Sequence, residues 1–475
     1  MNWLLFWMTV YLIMVLLLAF RHLKSSNPET YLVNNRSTRL VPLVFTILAT
    51  FIGGGTSIGL IAMGYSSGFA AVGIGLAYVL GFMLMIRYAG RIRDWGAPKK
   101  IYSFPQFLIS RFSEKSDNTQ SFSGFDRAFS ALVSGVNIFI FFFLLAAQFV
   151  GMASLLKFGF GWGYQSAAVI SAVIVIGYTA ISGLSGVIYT DMIQFVVILI
   201  LIFFIFLPVI FHDTENLSRL AELPDNMLNG SFYGWTFLVG LLLFLSPSVL
   251  VRMDIWQRML SAKNAKTARR ASLWSGIGML PFYLIFPLVG MSVRISFGDQ
   301  INANDATYLF LEQHSTPFFL AFGVTGLLAA LMSSGDSFLN IIAISAVRDF
   351  SGWRRKSVDD LRQSQRQIRL ITLLFGFVAL GMALLLPDIV DLMVVGIGTI
   401  VIFVPVTLLA LVRPDVKRYQ RVALWSVLSG FVVNTCFFVW GVMAPQQFEP
   451  KSSFIPAFIV AGLVLLFGKL RTNKV

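Results

Sequence analysis

The sequence predicts an all-α integral membrane protein with thirteen transmembrane helices. Of its 475 residues, 57% are hydrophobic and only 12% are charged, whereas a soluble protein carries roughly 25% charged residues. Thirteen apolar segments are long enough, at about 17–25 residues, to cross a bilayer as helices. They fall at residues 3–20, 41–64, 68–88, 128–153, 166–183, 188–211, 232–251, 272–293, 318–346, 370–386, 389–412, 422–443 and 453–470.

The basic residues divide unequally between the two sides of this predicted membrane. With the N-terminus outside, 32 of the 36 Lys and Arg residues fall in the inner loops and the C-terminal tail. Because Lys and Arg concentrate on the cytoplasmic side, we expect an external N-terminus and a cytoplasmic C-terminus in a bacterial inner membrane. The net charge of +14 then reflects basic loops facing anionic lipid. We expect no nucleic-acid partner and see no sign of an obligatory protein partner.

A polar stripe crosses the ninth apolar segment. Ala330, Ser333 and Ser334 share one helix face, and Ser333, Asp336 and Ser337 repeat that spacing one step on. Polar groups in hydrocarbon cost free energy unless they find a partner. Small neutral oxygens beside one carboxylate suit a hard monovalent cation better than a transition metal. The alternative is that the serines bond carbonyls of their own helix and Asp336 pairs with a nearby base.

Two of the predicted helices contain interruptions. Three consecutive glycines, residues 53–55, stand in the second span, and each weakens a helix by about 1 kcal/mol relative to alanine. Pro247 removes a hydrogen bond from the seventh span. Carbonyls freed near Ala49 and Ile52 would be cation ligands, since broken membrane helices are tolerated where they bind something. Close packing through small residues is an equally good explanation of the glycines.

The positions of the interruptions predict a single membrane domain, residues 1–475, built from two repeats. The two interrupted helices open consecutive five-helix blocks, residues 41–211 and 232–412, and such matched breaks mark the binding sites of transporters. One extra helix at residues 3–20 precedes the blocks, and two helices at residues 422–470 follow them. We expect the two blocks to be inverted repeats of each other.

Ionisable residues elsewhere in the sequence are few. Asp191 stands at the inner start of the sixth span, where it is either an ion ligand or a helix N-terminal charge stabilised by the macrodipole. None of the three histidines lies in the core of a predicted helix, so no base is placed to activate a buried serine. We therefore expect neither an enzyme nor a zinc or haem site.

Three segments resemble the sodium:solute symporter family, which includes the sodium–glucose, proline, pantothenate and sialic acid symporters. Residues 330–337, continuing to Arg348-Asp349, are similar to the eighth core helix of that family. Residues 49–53 resemble its broken first core helix, and residues 186–194 resemble its fifth. A weaker match, residues 254–264, follows the sixth core helix. The resemblance covers nearly the whole chain.

The resemblance implies a core of five plus five helices in inverted repeat, with sodium as the coupling ion. It implies a sodium site formed by three carbonyls and two hydroxyls, those of Ala49, Ile52, Ala330, Ser333 and Ser334. Some members bind a second ion, and that second ion or proton site would fall here on Asp191, Ser333, Asp336 and Ser337. Asp336 departs from the plain hydroxyl of those members, and two carboxylates would over-charge a site for one monovalent ion.

The substrate pocket is expected beside the glycine break, between core helices one, three, six and ten. The candidate substrate-binding residues are Thr56, Gln148, Phe244, Ser246 and Thr399. No unpaired charged anchor is evident among them, but a carboxylate could bind the N–H groups of a broken helix. We expect a sodium-coupled symporter that imports an amino acid or small carboxylate. A proton-coupled or facilitative transporter on the same fold, and a solute-sensing membrane module, are the alternatives.

Overall fold

The protein is almost entirely helical. The computed structural model describes residues 2–22, 28–113, 123–314, 316–350 and 360–472, and 87% of the structure is helix. These ranges contain no strand. Parts of the basic loops predicted to face the inside, at 23–27, 114–122 and 351–359, lie outside the described residues, as does the end of the tail.

The described ranges contain twenty-one α-helices, several of them joined by short 3₁₀ or π-helical turns. The first nine are α1 (Trp3–His22), α2 (Pro28–Val33), α3 (Leu40–Phe51), α4 (Leu60–Ser67), α5 (Val72–Gly96), α6 (Phe104–Phe112), α7 (Gly124–Phe160), α8 (Tyr164–Leu201) and α9 (Leu207–Asp213). The remainder are α10 (Asp225–Leu228), α11 (Gly234–Gly240), α12 (Ser246–Ser248), α13 (Met253–Ser261), α14 (Ala265–Phe297), α15 (Ala306–His314), α16 (Pro317–Ile344), α17 (Asp360–Leu385), α18 (Ile389–Ile400), α19 (Val404–Val412), α20 (Gln420–Met443) and α21 (Phe454–Thr472).

The predicted count of thirteen membrane-spanning helices is not confirmed. Ten described stretches are long and apolar enough to cross a membrane, or eleven if the bent pair from Gly234 to Ser261 is one span. The main reason is the glycine break, which divides the predicted second span. Its first half is the short helix α3, and its second half joins a continuous helical stretch, Gly55–Gly96. The apolar part of α1, Trp3–Leu18, is also shorter than the others.

Helix α8 carries two of the predicted spans and bends between them at Gly183. This residue has φ 59° and ψ −169°, a backbone conformation that side chains disfavour. The ring of Tyr31 also approaches so closely that a Cβ at Gly183 would lie 2.3 Å from a ring carbon. Glycine therefore permits both the bend and the contact. The bend directs the second half of α8, with Asp191 on it, along α3 and α16.

Helix α16 lies at the centre of the fold. Every residue from Gly323 to Ile344 is buried, and the helix packs against α1, α3, α7, α8 and α17. The polar stripe therefore faces protein rather than lipid, as expected for functional polar groups at membrane depth. The last two helices, α20 and α21, pack mainly on each other and expose many of their apolar side chains.

Helix α14 crosses α4 at very short range through glycines. A Cβ on Gly290 would lie 2.0 Å from the carbonyl oxygen of Ile61, and a Cβ on Gly64 would lie 2.1 Å from that of Pro287. Small residues commonly allow membrane helices to approach this closely. Because α4 continues directly from the glycine break, this contact fixes one side of the break to α14.

We predict that Gly290→Ala lowers thermal stability, because the added methyl meets backbone that cannot rotate away. Overpacking of this kind costs typically about 1–3 kcal/mol. The matched control is Gly177→Ala in α8, where a Cβ would meet nothing within 4 Å. The measurement is the unfolding temperature of the two purified variants. Equal unfolding temperatures would contradict the close α4–α14 contact.

Candidate functional site

The first helix break lies between Phe51, where α3 ends, and Gly55, where a π-helical turn begins. Ile52 leaves the helical conformation with φ −87° and ψ 51°. In a continuous helix the N–H of Gly54 would bond the carbonyl of Thr50, but it donates instead to Oε1 of Gln148, at 2.8 Å. The break therefore releases carbonyls at the end of α3, and these need other partners.

Two hydroxyls of α16 meet the released carbonyls. Ser333 Oγ lies 2.8 Å from the carbonyl oxygen of Ala49 and 2.9 Å from that of Ala330. Ser334 Oγ lies 2.8 Å from the carbonyl oxygen of Thr50 and 3.5 Å from that of Ala330. All five residues are buried. The structure thus brings together four of the five residues predicted for the sodium site and adds Thr50, whereas Ile52 takes no part in these hydrogen bonds.

The approach of Ser334 to the break depends on Gly53. A Cβ at this position would lie 2.3 Å from Ser334 Oγ and 2.8 Å from Gln148 Oε1. Any side chain here would therefore separate α16 and α7 from the broken end of α3. The glycine has a packing role as well as a helix-breaking one, so the two sequence-based explanations of residues 53–55 are compatible.

A buried arginine lies where the resemblance places a second ion. The guanidinium of Arg258, on α13, has no exposed surface and donates to Asp191 Oδ2 at 3.2 Å and to Ser337 Oγ at 2.8 Å. It also donates to Thr50 Oγ1 at 2.5 Å and Thr46 Oγ1 at 3.1 Å. Thr46 in turn donates to the carboxylate of Asp191. A fixed positive charge therefore already neutralises Asp191.

Asp336 faces a different neighbour. Its Oδ2 accepts a hydrogen bond of 2.9 Å from the hydroxyl of Tyr178 on α8. Its Oδ1 is buried and has no hydrogen-bond partner among the described residues. The four residues predicted for a second ion are thus divided: Asp191 and Ser337 contact Arg258, Ser333 faces α3, and Asp336 faces Tyr178.

A small cavity lies beside the first break, and its lining includes Thr56 and Gln148, two of the five candidate substrate-binding residues. Thr56 Oγ1 donates to the carbonyl of Phe51 at 2.6 Å and lies 3.2 Å from the hydroxyl of Tyr283. Ser334 and Thr50 also line the cavity. The cavity and the paired hydroxyls of α16 are therefore adjacent, with one serine belonging to both.

The other three predicted substrate-binding residues are not in the lining of this cavity. Phe244 packs its ring against Phe454 and Phe458 of α21. Thr399 donates to a carbonyl of its own helix and accepts from Asn434. Ser246 is buried, and its hydroxyl has no hydrogen-bond partner in the described part of the chain. The second interruption itself is present: the helix bends by 44° between α12 and α13.

Sequence reasoning missed Arg252, which lines the cavity. Its Nη2 and Nε lie 2.5 Å and 3.0 Å from the carboxylate oxygens of Asp254. Arg252 and Arg258 follow the apolar segment at residues 232–251, so the sequence places both outside the predicted spans. The structure buries them, with 5% and 0% of their surface exposed. The signal for this was the aspartate two residues after Arg252, since a buried charge needs a partner.

The contribution of α3 side chains was also missed. Thr46 lies three residues before Ala49, and Thr50 directly follows it. The two threonines are therefore four residues apart. That spacing places them on one helix face, as the spacing on α16 does. A search for paired hydroxyls on every predicted span would have found them.

Comparison with known proteins identifies the class of this chain. A model of the sodium:solute symporter family matches residues 31–430. The chain belongs to the sodium:solute symporter family. It is therefore an integral membrane transporter and not an enzyme, and sodium is its coupling ion. The resemblance seen in the sequence is confirmed.

Among its relatives are bacterial proline transporters. A sodium/proline symporter of Staphylococcus aureus is 26% identical over 494 residues, covering 98% of this chain and 92% of the relative. The high-affinity proline transporter PutP of Bacillus subtilis (strain 168) is 25% identical over 487 residues, covering 97% and 96%. The similarity therefore extends over nearly the full length of both.

Solved structures show the same fold. A Na⁺-coupled sialic acid symporter, in a substrate-bound outward-open state, aligns with a TM-score of 0.77 at 17% identity, covering 100% of this chain and 98% of that one. A transporter of the nucleobase-cation-symport-1 family in a closed conformation aligns with a TM-score of 0.55 at 13% identity, covering 94% and 96%. At these identities the likeness concerns the fold alone.

We predict that Arg258→Gln is strongly destabilising, because it leaves the carboxylate of Asp191 buried without a cation. Removal of one partner of a buried pair costs about 3–5 kcal/mol. The double variant Arg258→Gln/Asp191→Asn removes both charges and is expected to recover a large part of this loss. The measurement is thermal unfolding of the single and double variants. A double variant less stable than Arg258→Gln alone would contradict direct pairing.

Proposed function

We propose that this transporter imports a small organic solute, an amino acid or a small carboxylate, together with sodium by alternating access. The observation that carries the proposal is the meeting of the Ser333 and Ser334 hydroxyls with the carbonyls released by the break in α3. The proline transporters among the relatives support the substrate class. A bacterial inner membrane is the proposed location, since those relatives are bacterial.

The proposed sodium site uses oxygen ligands only, which hard cations prefer. The hydroxyl of Ser333 already lies within hydrogen-bond distance of the carbonyls of Ala49 and Ala330, and that of Ser334 lies 3.5 Å from the carbonyl of Ala330. We assign the fifth ligand to the carbonyl of Ile52, because its residue leaves the helical conformation at the break. A sodium ion at this place would become the shared partner of groups that otherwise bond each other.

The position of the site suggests how ion and solute are coupled. Ser334, a ligand of the proposed ion site, also lines the cavity. Thr50, whose carbonyl accepts the hydrogen bond of Ser334, lines it as well. An ion that orders the broken end of α3 would therefore also order one wall of the cavity, and the two ligands would strengthen each other's binding reciprocally. One charge moving inward through 100 mV supplies about 2.3 kcal/mol, to which the sodium gradient adds.

The second ion or proton site stays a prediction. Its proposed residues are Asp191, Ser333, Asp336 and Ser337. Because Arg258 already supplies a positive charge to Asp191 and Ser337, we propose that one sodium ion drives transport. Asp336, which Arg258 does not contact, is the carboxylate available to any second cation or proton.

We further propose that the chain crosses the membrane thirteen times. In this arrangement α3 and α4 together form one broken span, and α11 to α13 form the other. These two open the inverted five-helix repeats, residues 41–211 and 232–412, with residues 3–20 before them and residues 422–470 after them. Broken helices at matching positions of two repeats are typical of transporters with a central binding site.

We predict that Ser333→Ala and Ser334→Ala each raise the sodium concentration needed for half-maximal uptake by about tenfold or more. A loss of 1.4 kcal/mol in ion binding corresponds to tenfold. Thr325→Ala is the matched control, since this buried hydroxyl on the same helix donates to the carbonyl of Ala321, one turn earlier in α16. The measurement is uptake into proteoliposomes at varied sodium. An unchanged sodium dependence in both serine variants would refute the site.

We predict opposite labelling of two positions on the two sides of the membrane, Lys266 at the start of α14 and Asn304 in the turn after its end. Cys436 is the only cysteine of the chain, so Cys436→Ser supplies a cysteine-free background. In that background Asn304→Cys is expected to react with a membrane-impermeant maleimide on intact cells, whereas Lys266→Cys reacts only after the cells are opened. Both positions are exposed. The reverse pattern would mean that the N-terminus is inside.

A further inference from the structure

The cavity beside the first break has one fully charged side chain in its described lining, that of Arg252. The rest of the lining includes the hydroxyl-bearing residues Thr56, Tyr78 and Tyr283. It also includes four apolar residues, Leu144, Phe338, Met393 and Ile397. A ligand that matches this lining has one negative group and a compact apolar body.

Arg252 is held firmly in its place. It is the residue before α13 and has extended backbone, with φ −73° and ψ 121°. Its guanidinium carbon lies 4.2 Å from the centre of the Phe51 ring, and Phe51 lines the same cavity. The ion pair with Asp254 uses Nε and Nη2, so the third nitrogen, Nη1, is not part of it. The guanidinium is thus oriented before any ligand binds.

The N–H groups of the broken helix are the other donors expected to bind a carboxylate, and one of them is already engaged. A carboxylate could have bound the N–H groups of the broken helix, but the N–H of Gly54 donates to Gln148. Arg252 offers a carboxylate a charged donor on the cavity wall, and binding there displaces no hydrogen bond of Gly54.

We propose that Arg252 binds the carboxylate of the transported solute. This inference rests on the proposed function, and it restricts the substrate class to small monocarboxylates with an apolar body, including amino acids with apolar side chains. Neutral sugars are expected to bind more weakly, because they offer the guanidinium no charge-assisted hydrogen bond.

The charges near the cavity explain why such a solute would need sodium. Arg252 and Asp254 form a neutral pair, so a bound monocarboxylate anion adds one uncompensated negative charge. A bound amino acid adds no net charge, but its carboxylate end still places a negative group beside this pair. A sodium ion at Ser333 and Ser334 supplies the balancing positive charge, and Ser334 lines the same cavity. Opposite charges in a site of low dielectric attract strongly. Binding of the anion and of sodium therefore favour each other.

The test is equilibrium binding to the purified full-length protein, in sodium and in potassium, with a panel of probes. The panel comprises L-proline, L-alanine, pyruvate, L-prolinamide and D-glucose. We expect sodium-dependent binding of at least one carboxylate. We also expect L-prolinamide, which lacks the carboxylate, to bind at least tenfold more weakly than L-proline if proline is bound. The proposal is overturned if glucose or the amide binds more tightly than every carboxylate. It is also overturned if none of the five probes binds.

Arg252→Gln is expected to weaken carboxylate binding at least tenfold. This change leaves Asp254 buried without a partner. The second variant is therefore Arg252→Gln/Asp254→Asn, which has no unpaired charge at this place. We expect it to lose carboxylate binding to the same extent. Carboxylate binding of wild-type strength in the double variant overturns the role of Arg252. Stabilisation of each variant by sodium over potassium, measured by thermal unfolding without solute, is expected to persist. Its absence in the wild type would count against the proposed sodium site alone.

Discussion

The pairing of the released carbonyls of α3 with the hydroxyls of α16 is the contact on which the rest of the site depends. A backbone carbonyl without a partner at membrane depth costs several kcal/mol. Ser333 and Ser334 satisfy the carbonyls of Ala49 and Thr50, and Gln148 satisfies the N–H of Gly54. The break is therefore stable because side chains of α16 and α7 bond its free backbone groups. The oxygen atoms among these groups are ligands of the kind that sodium prefers.

A second constraint comes from α13, a nine-residue helix that is buried along its whole length. Arg252, just before it, faces the cavity, and Arg258 faces Asp191. Asp254 connects the two, because its carboxylate pairs with Arg252 and its carbonyl accepts from Arg258 at 3.2 Å. Buried charges are tolerated only with close partners, so the position of α13 is fixed from both ends. This makes one continuous polar network from the cavity wall to Thr50.

The sequence predicts those features that depend on neighbours along the chain. The helical class, the glycine break and the polar stripe of α16 all follow from hydropathy or from spacings of three and four residues. The partners of Arg258 do not, because they lie 67, 79 and 208 residues away in sequence. The sequence also places Phe244 and Thr399 on helices but does not predict which neighbour each side chain faces. The rotation of a helix about its own axis depends on its packing against distant segments. The predicted number of spans is not confirmed, and one reason is that the break ends α3 after twelve residues.

One helical turn of α16 joins three other elements of the fold. Ser333 and Ser334 bond α3, Ser337 bonds Arg258 of α13, and Asp336 bonds Tyr178 of α8. A motion that separates α3 from α16 must break both serine hydrogen bonds together, because their acceptors are adjacent residues. Neutral hydrogen bonds contribute only about 0.5–1.5 kcal/mol each, so this junction is weak enough to open. A cation bound by the same oxygen atoms would hold the α3–α16 junction closed. Ion binding at this turn of α16 would therefore control the position of α3.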